Sequence, residues 1–206
     1  REVMAGTTKF YGGLHSSISN IIDASSLTAV DIEDTAGVDY LGVDTTNGTV
    51  TMGKYAGDAL TGDYNVAIGN QAVRYSTASS NVIGIGTSAG RYSPTDNTFI
   101  GRYSGANVSS ASYTVAVGTQ SAYNYAGGGS DLAALGDGCT YLGSYTDASA
   151  TSGSLDNETA IGYSAIGKGS NTVVLGNNSV TRSYFSRRID IWNPTEEDSA
   201  LGREGS

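Results

Sequence analysis

From Val50 to Arg182 the chain repeats one short phrase. A large apolar residue stands directly before a glycine, an apolar residue or threonine stands three before it, and a small residue stands three after it. The glycines are Gly53, Gly69, Gly86, Gly101, Gly118, Gly136, Gly162 and Gly176, spaced by 16, 17, 15, 17, 18, 26 and 14 residues. Gly143 (TYLG) falls in the long interval and reads as an irregular or inserted turn. The residues before the glycines are Met52, Ile68, Ile85, Ile100, Val117, Leu135, Ile161 and Leu175. Val50, Val66, Ile83, Thr98, Val115, Ala133, Thr159 and Val173 stand three before. Period two inside each run predicts a short strand, with these two rows pointing inward as the repeat core.

The glycine ends each strand where the backbone needs φ > 0 or close approach to a neighbour. Ala56, Ala72, Ala89, Ser104, Ser121, Cys139, Ala165 and Ser179 follow three later and predict a tightly packed corner. Asn65, Asn81, Asn97, Asn157 and Asn171 open strands, as turn-forming amides do. A repeat near sixteen residues has no room for a helix plus a strand. It predicts an all-β parallel β-solenoid, each coil rising about 4.8 Å, with eight or nine coils forming a rod on the order of 40 Å. The competing fold, a β-sandwich, calls for strands every 8–12 residues and leaves the matched flanking residues unexplained.

Composition limits what such a rod can be. The chain has 206 residues, 38% of them hydrophobic, with 29 Gly, 2 Pro and 3 Phe. Two sizeable inward side chains per coil do not offset the backbone entropy of ordering it, so the coils are expected to associate with identical copies. The small residues on other faces would let those copies approach closely. The net charge is −9, and no basic stripe exists for phosphate contacts, which argues against nucleic-acid binding. No apolar run has the length of a membrane span or signal peptide. The single Cys139 rules out an intrachain disulfide. The first residue is Arg, as in a fragment or processed chain.

Three segments are expected. Residues 1–49 cap the roll or join it to a preceding fibre segment. Residues 50–182 form the roll, with an irregular insertion near 123–154. Residues 183–206, with Tyr184, Phe185, Trp192 and Pro194, close the oligomer, Trp192 being a buried cap. The acidic residues Asp31, Glu33, Asp34, Asp39 and Asp44 lack the spacing of a calcium loop and read as a solvated face.

Little here suggests catalysis. His15 is the only histidine, and no G-x-S-x-G elbow surrounds a serine. Gly84, Gly86 and Gly90 lie in a strand repeat with no following helix, so they do not form a phosphate loop. Cys139 reads as a small buried residue. No metal, cofactor or enzymatic role is expected. Tyrosine, with 14 copies, carries the contact chemistry. Arg74-Tyr75, Arg91-Tyr92 and Arg102-Tyr103 recur as pairs, whereas Tyr113, Tyr123, Tyr125, Tyr141 and Tyr145 crowd the irregular region. Tyr123, Tyr125, Tyr141, Tyr145, Tyr75 and Tyr92 are the candidate receptor contacts, since an amphipathic aromatic on a rigid rod suits a glycan or protein surface. The alternative is that Arg and Tyr stack between coils and across subunits.

The segment Thr159 to Ala165 (TAIGYSA), with Thr172 to Ser179 fourteen residues on, resembles the head repeat of trimeric autotransporter adhesins. Asn178 to Arg182 (NSVTR) looks like the end of such a head. Asn65 to Gly105 (NVAIGNQAVRYSTASSNVIGIGTSAGRYSPTDNTFIGRYSG) is similar to repeats of bacteriophage and phage-like tail fibres. Both resemblances imply a left-handed parallel β-roll that trimerises. After Arg182 comes SYFSRRIDIWNP, with no heptads, which favours the fibre. The resemblance implies a non-catalytic, extracellular, host-surface-binding segment of a virion tail fibre. Its partners would be a homotrimer, a host glycan or protein, and other fibre or virion proteins, with no nucleic acid and no membrane insertion. The end at Ser206 is compatible with loss of a C-terminal chaperone. A bacterial surface adhesin head is the alternative, and a purely structural spacer the second.

Overall fold

The structure, a computed structural model, describes residues 28–33, 39–123, 135–148 and 155–184, with side-chain environments from Tyr40 onward. His15, Tyr125 and the closing segment beyond Tyr184, Trp192 included, lie outside these residues. The acidic residue Asp34 does too. The described chain is all-β, with no helix, and winds into a parallel β-solenoid of about 6 turns.

Ten strands form one sheet in sequence order. Strands β1 (Thr28–Glu33), β2 (Asp39–Asp44) and β3 (Thr49–Met52) pair antiparallel. From β3 onward every pairing is parallel, through β4 (Val66–Ile68), β5 (Ile83–Ile85), β6 (Thr98–Ile100), β7 (Val115–Val117), β8 (Thr140–Leu142), β9 (Thr159–Ile161) and β10 (Val173–Leu175). The register never slips: Val50 meets Val66, then Ile83, Thr98, Val115, Thr140, Thr159 and Val173.

The glycines set this register. In the ladder Gly53, Gly69, Gly86, Gly101, Gly118, Gly143 and Gly162 have φ between +120° and +135°. A Cβ on Gly69 would sit 2.6 Å from the carbonyl of Gly86, and one on Gly86 would sit 2.6 Å from the oxygen of Gly101. Both reasons for glycine, positive φ and close approach, hold at the same atom. The column runs through Gly143, not Gly136. Strand β8 is Thr140–Leu142, and its Thr140 matches Thr98 and Thr159 in the other strands. Leu135 forms only an isolated bridge to Leu155. Gly143 is therefore the regular position, and Gly136 belongs to the excursion.

The inward face differs from the sequence expectation. Each parallel strand after β3 has three residues, so its middle side chain points opposite to the two flanking it. From β4 to β9 the middle position is the buried one, held by Ala67, Gly84, Phe99, Ala116, Tyr141 and Ala160, and in β10 Val174 is half-buried. Of the expected repeat core, Met52, Ile100 and Leu175 are exposed, and Ile68, Ile85, Val117 and Ile161 are only half-buried. Leu135 is buried, but off the ladder. The cause is room. The same narrow interior already holds the residue four before the glycine (Asn65, Val82, Asn97, Thr114, Cys139, Glu158) and the one three after (Ala72, Ala89, Ser104, Ser121, Thr146, Ala165). Mostly small residues fill the coil, Phe99 and Tyr141 being the large exceptions, and large apolar residues line its outer sheet face.

Size compensation keeps that interior closed. The ring of Phe99 lies where Cβ atoms on Gly90 or Gly105 would be, 2.8 Å away in the case of Gly90. Where the middle residue is Gly84, Val73 reaches into the space its side chain would take. Close packing of this kind leaves little freedom for single changes. Asparagine has two separate uses. Asn81, Asn157 and Asn171 take φ of 57°, 55° and 60° at the turn. Asn65 and Asn97 are buried. The Asn97 amide donates to Ala111 O (2.8 Å), and its oxygen accepts from Thr114 N (2.8 Å). Asn65 similarly donates to Ser79 O and accepts from Val82 N, both at 2.9 Å. These amides link each coil to the next where the backbone turns.

Candidate functional site

Two surfaces and one interior cluster stand out. The first surface is the tyrosine-rich side of the turns that follow each glycine. Tyr75 and Tyr92, equivalent positions in adjacent coils, stack with centroids 5.2 Å apart and planes at 22°. Arg74 lies over Tyr75 at 4.8 Å and over Tyr55 at 4.2 Å, while Nε pairs with Asp58 at 3.2 Å. Arg91 lies over Tyr92 at 4.8 Å and Arg102 over Tyr103 at 5.1 Å. The coil-to-coil half of the stacking alternative is thus present. Tyr75 and Tyr92 remain 42% and 41% exposed.

Further along, Tyr103 meets Tyr123 edge to face at 5.9 Å, and Tyr145 meets Tyr163 at 5.7 Å. Tyr123 and Tyr145 line a cavity of about 310 Å³ together with Gln120, Asp147 and Ile166. Three consecutive coils contribute. The backbone ladder fixes them: Gln120 N donates to Arg102 O (2.8 Å), Tyr145 N to Thr119 O (2.9 Å) and Asp147 N to Ala165 O (3.1 Å). Asp147 Oδ1 accepts from Ala148 N at 2.9 Å. Of the six candidate tyrosines, the structure brings Tyr123 and Tyr145 to one cavity and Tyr75 and Tyr92 to one stack. Sequence reasoning missed Gln120, Asp147, Ile166 and Tyr163. The only signal for Asp147 is its place four after the ladder glycine, which holds Val73 and Ala122 elsewhere, and seeing it requires the Gly143 register.

Tyr141 is not a surface contact. It is the middle residue of β8 and fully buried. Its hydroxyl donates to Glu158 Oε2 at 2.7 Å, and Glu158 Oε1 accepts from Gly169 N at 2.7 Å. Glu158 is itself fully buried, in the column that holds Asn65 and Asn97 in earlier coils. Cys139 lies in that column too, and its thiol donates to Leu155 O at 2.8 Å. Burial, then the neighbouring Cys139 and Glu158, pushes the Tyr141 phenol far above its ordinary range. Burial likewise raises the Cys139 thiol. Both are protonated donors at neutral pH, and Cys139 is buried away from oxidants.

The second surface is the outer sheet face. Met52, Ile83, Ile100, Val115, Leu142, Val173 and Leu175 are all exposed there, up to 69% for Val173. They lie in two rows that run from β3 to β10: the row before the ladder glycines is apolar in every strand and forms an apolar ribbon, and the row beside it is interrupted by Thr98, Thr140 and Thr159. Among the described residues no group of three His, Cys, Asp or Glu could hold a metal ion, and no helix is long and apolar enough to cross a membrane. No protein-family model, curated protein or solved structure matches the chain.

Proposed function

We propose that the chain is a left-handed, homotrimeric β-roll segment of a bacteriophage or phage-like tail fibre, extracellular and non-catalytic, which contacts a host surface. The observation that carries this reading is the apolar ribbon on the outer sheet face. An apolar surface of this extent, regular along a rod, calls for a partner of matching repeat, and a second copy of the chain has that repeat by construction. Each exposed Val, Leu, Ile or Met that becomes buried contributes roughly 1.5–3 kcal/mol, the term a thin single coil lacks. The number three and the left hand come from the likeness of the repeats to tail-fibre repeats. Host contact rests on the exposed Tyr75, Tyr92 and Tyr145 and the half-buried Tyr123 as the contact residues.

Light scattering tests the assembly: three chain masses are expected, and a folded protein of one chain mass, 21.1 kDa, overturns the reading. Leu142→Asp, placed in the middle of the ribbon, is expected to shift the mass toward one chain. Adsorption of the tagged protein to a panel of bacterial cells tests host contact, and a segment that adsorbs to none is a spacer. The head of a bacterial trimeric adhesin is the second reading. The fourteen-residue step between Gly162 and Gly176, along which β9 and β10 pair in register, is what favours it. An outer-membrane barrel encoded downstream supports the adhesin, and neighbouring virion genes support the fibre.

A further inference from the structure

We infer that the cavity between Tyr123 and Tyr145 is a subsite for one neutral pyranose of a surface polysaccharide. The inference rests on the host-contact reading of these residues and adds the ligand class and the binding groups.

The geometry argues for a sugar. A pyranose has an apolar face of C–H groups and an edge of hydroxyls. Two tyrosines supply amphipathic walls, and Ile166 adds an apolar patch. Gln120 and Asp147 lie on the same lining, an amide that both donates and accepts and a carboxylate that accepts from adjacent hydroxyls. This mix of mostly apolar walls with a few fixed polar groups is that of small-ligand sites, and about 310 Å³ is at the small end of their range, the size of a single ring. The walls are held in place before binding. Tyr145 is braced against Tyr163 at 5.7 Å and Tyr123 against Tyr103 at 5.9 Å. The Ala148 amide orients the Asp147 carboxylate. A rigid site loses little entropy on binding.

Charge selects within the class. The chain carries a net charge of −9. Sugars bearing carboxylate, phosphate or sulfate are repelled, and neutral hexoses are not.

The test uses the oligomer as purified, on an array of neutral, amino and acidic glycans, followed by titration with the methyl glycoside of the strongest hit. Tyr145→Ala and Asp147→Asn are each expected to weaken apparent affinity about tenfold or more. Tyr113→Ala, at an exposed tyrosine that does not line the cavity, is expected to leave it unchanged, and the thermal midpoint of each variant checks folding. Binding of neutral glycans that both cavity variants abolish supports the subsite. Neutral-glycan binding that survives both variants overturns it. Binding confined to acidic glycans overturns the ligand class. A protein that binds no glycan on the array overturns the inference, while its adsorption to bacterial cells decides whether the host-contact reading stands.

Discussion

The coils from Gly53 to Gly118 and those from Gly118 to Gly162 build the same ladder with different means. In the first region each step takes 15 to 17 residues, and the interior is filled by Ala67, Ala72, Ala89, Ala116, Phe99 and the amides of Asn65 and Asn97. In the second, the steps to Gly143 and Gly162 take 25 and 19 residues, and the interior holds Tyr141, Glu158, Cys139 and Thr146. The strands nevertheless pair without slip. The difference teaches that the ladder and the filling are separable. A column of glycines fixes the rise, whereas the interior accepts either small residues or a hydrogen-bonded polar set. Only the second region has the cavity at Tyr123 and Tyr145.

The largest effect should come from the shared ladder. Gly86→Val places a branched side chain at φ +129° against the oxygen of Gly101. A loss of about 4 kcal/mol or more is expected, enough to abolish a cooperative melt. Gly138→Ala, at φ +71° with nothing within 4 Å, should cost only about 1 kcal/mol in the same melting experiment. Equal losses at the two sites would remove the claim that the column sets the rise.

The polar filling comes next. Glu158→Ala leaves the Tyr141 hydroxyl and the Gly169 amide without their partner and is expected to cost about 3 kcal/mol by chemical denaturation. Glu158→Gln keeps an acceptor for the Gly169 amide and sets an NH2 donor against the Tyr141 hydroxyl, which can turn to accept from it, so the expected loss is smaller, about 1 kcal/mol. Alkaline pH sharpens the contrast. Tyr141 and Cys139 are raised above 10.0 and 9.0, the values they take when unfolded. The folded state holds these protons more tightly, so the stability is fully present below about pH 9 and falls as pH rises beyond it, when the unfolded chain ionises first. Thermal midpoints between pH 8 and 11 should show this decline, and Tyr141→Phe should reduce its slope. A variant with an unchanged slope would mean that Tyr141 does not carry it.

The smallest effect is expected on the tyrosine side of the first region. Tyr75→Ala removes the stack on Tyr92 and the contact with Arg74. Both are half-exposed, so about 1 kcal/mol is expected by thermal melting. A loss as large as that of Glu158→Ala would mean that the arginine–tyrosine stack, rather than the interior, holds these coils together.

What the sequence made legible follows from what repetition marks. The period, the short strands, the glycine column and the buried small residue three after it were readable because the same atoms meet in every coil. The inward sense of the strands was not. Alternation says that Ile68 and Val66 share a face and that Ala67 has the other, but an outward apolar row and an inward one leave the same pattern. Space in each coil decides: an interior that also holds Asn65 and Ala72 takes Ala67, and Phe99 fits in its own coil where Gly90 and Gly105 leave room for the ring. The register at Gly136 and Gly143 is ambiguous because LG occurs twice within nine residues, and only the threonine at Thr140 marks the ladder copy. Tyr141 was placed at the surface through that error: once Gly143 is the ladder glycine, Tyr141 is the middle residue of a strand. The cavity was half legible. Its tyrosines stand out in composition, but Asp147 and Gln120 are unremarkable until the winding brings three coils together.

Because no side chain separates one ladder glycine from the next, the distance between neighbouring rungs is set by bare backbone and is the same for a long coil as for a short one. The steps of 25 and 19 residues to Gly143 and Gly162 can therefore differ in length from the steps of 15 to 17 without disturbing the strands they join. The ladder behaves as a rail with fixed mounting points, whatever length of chain joins one rung to the next.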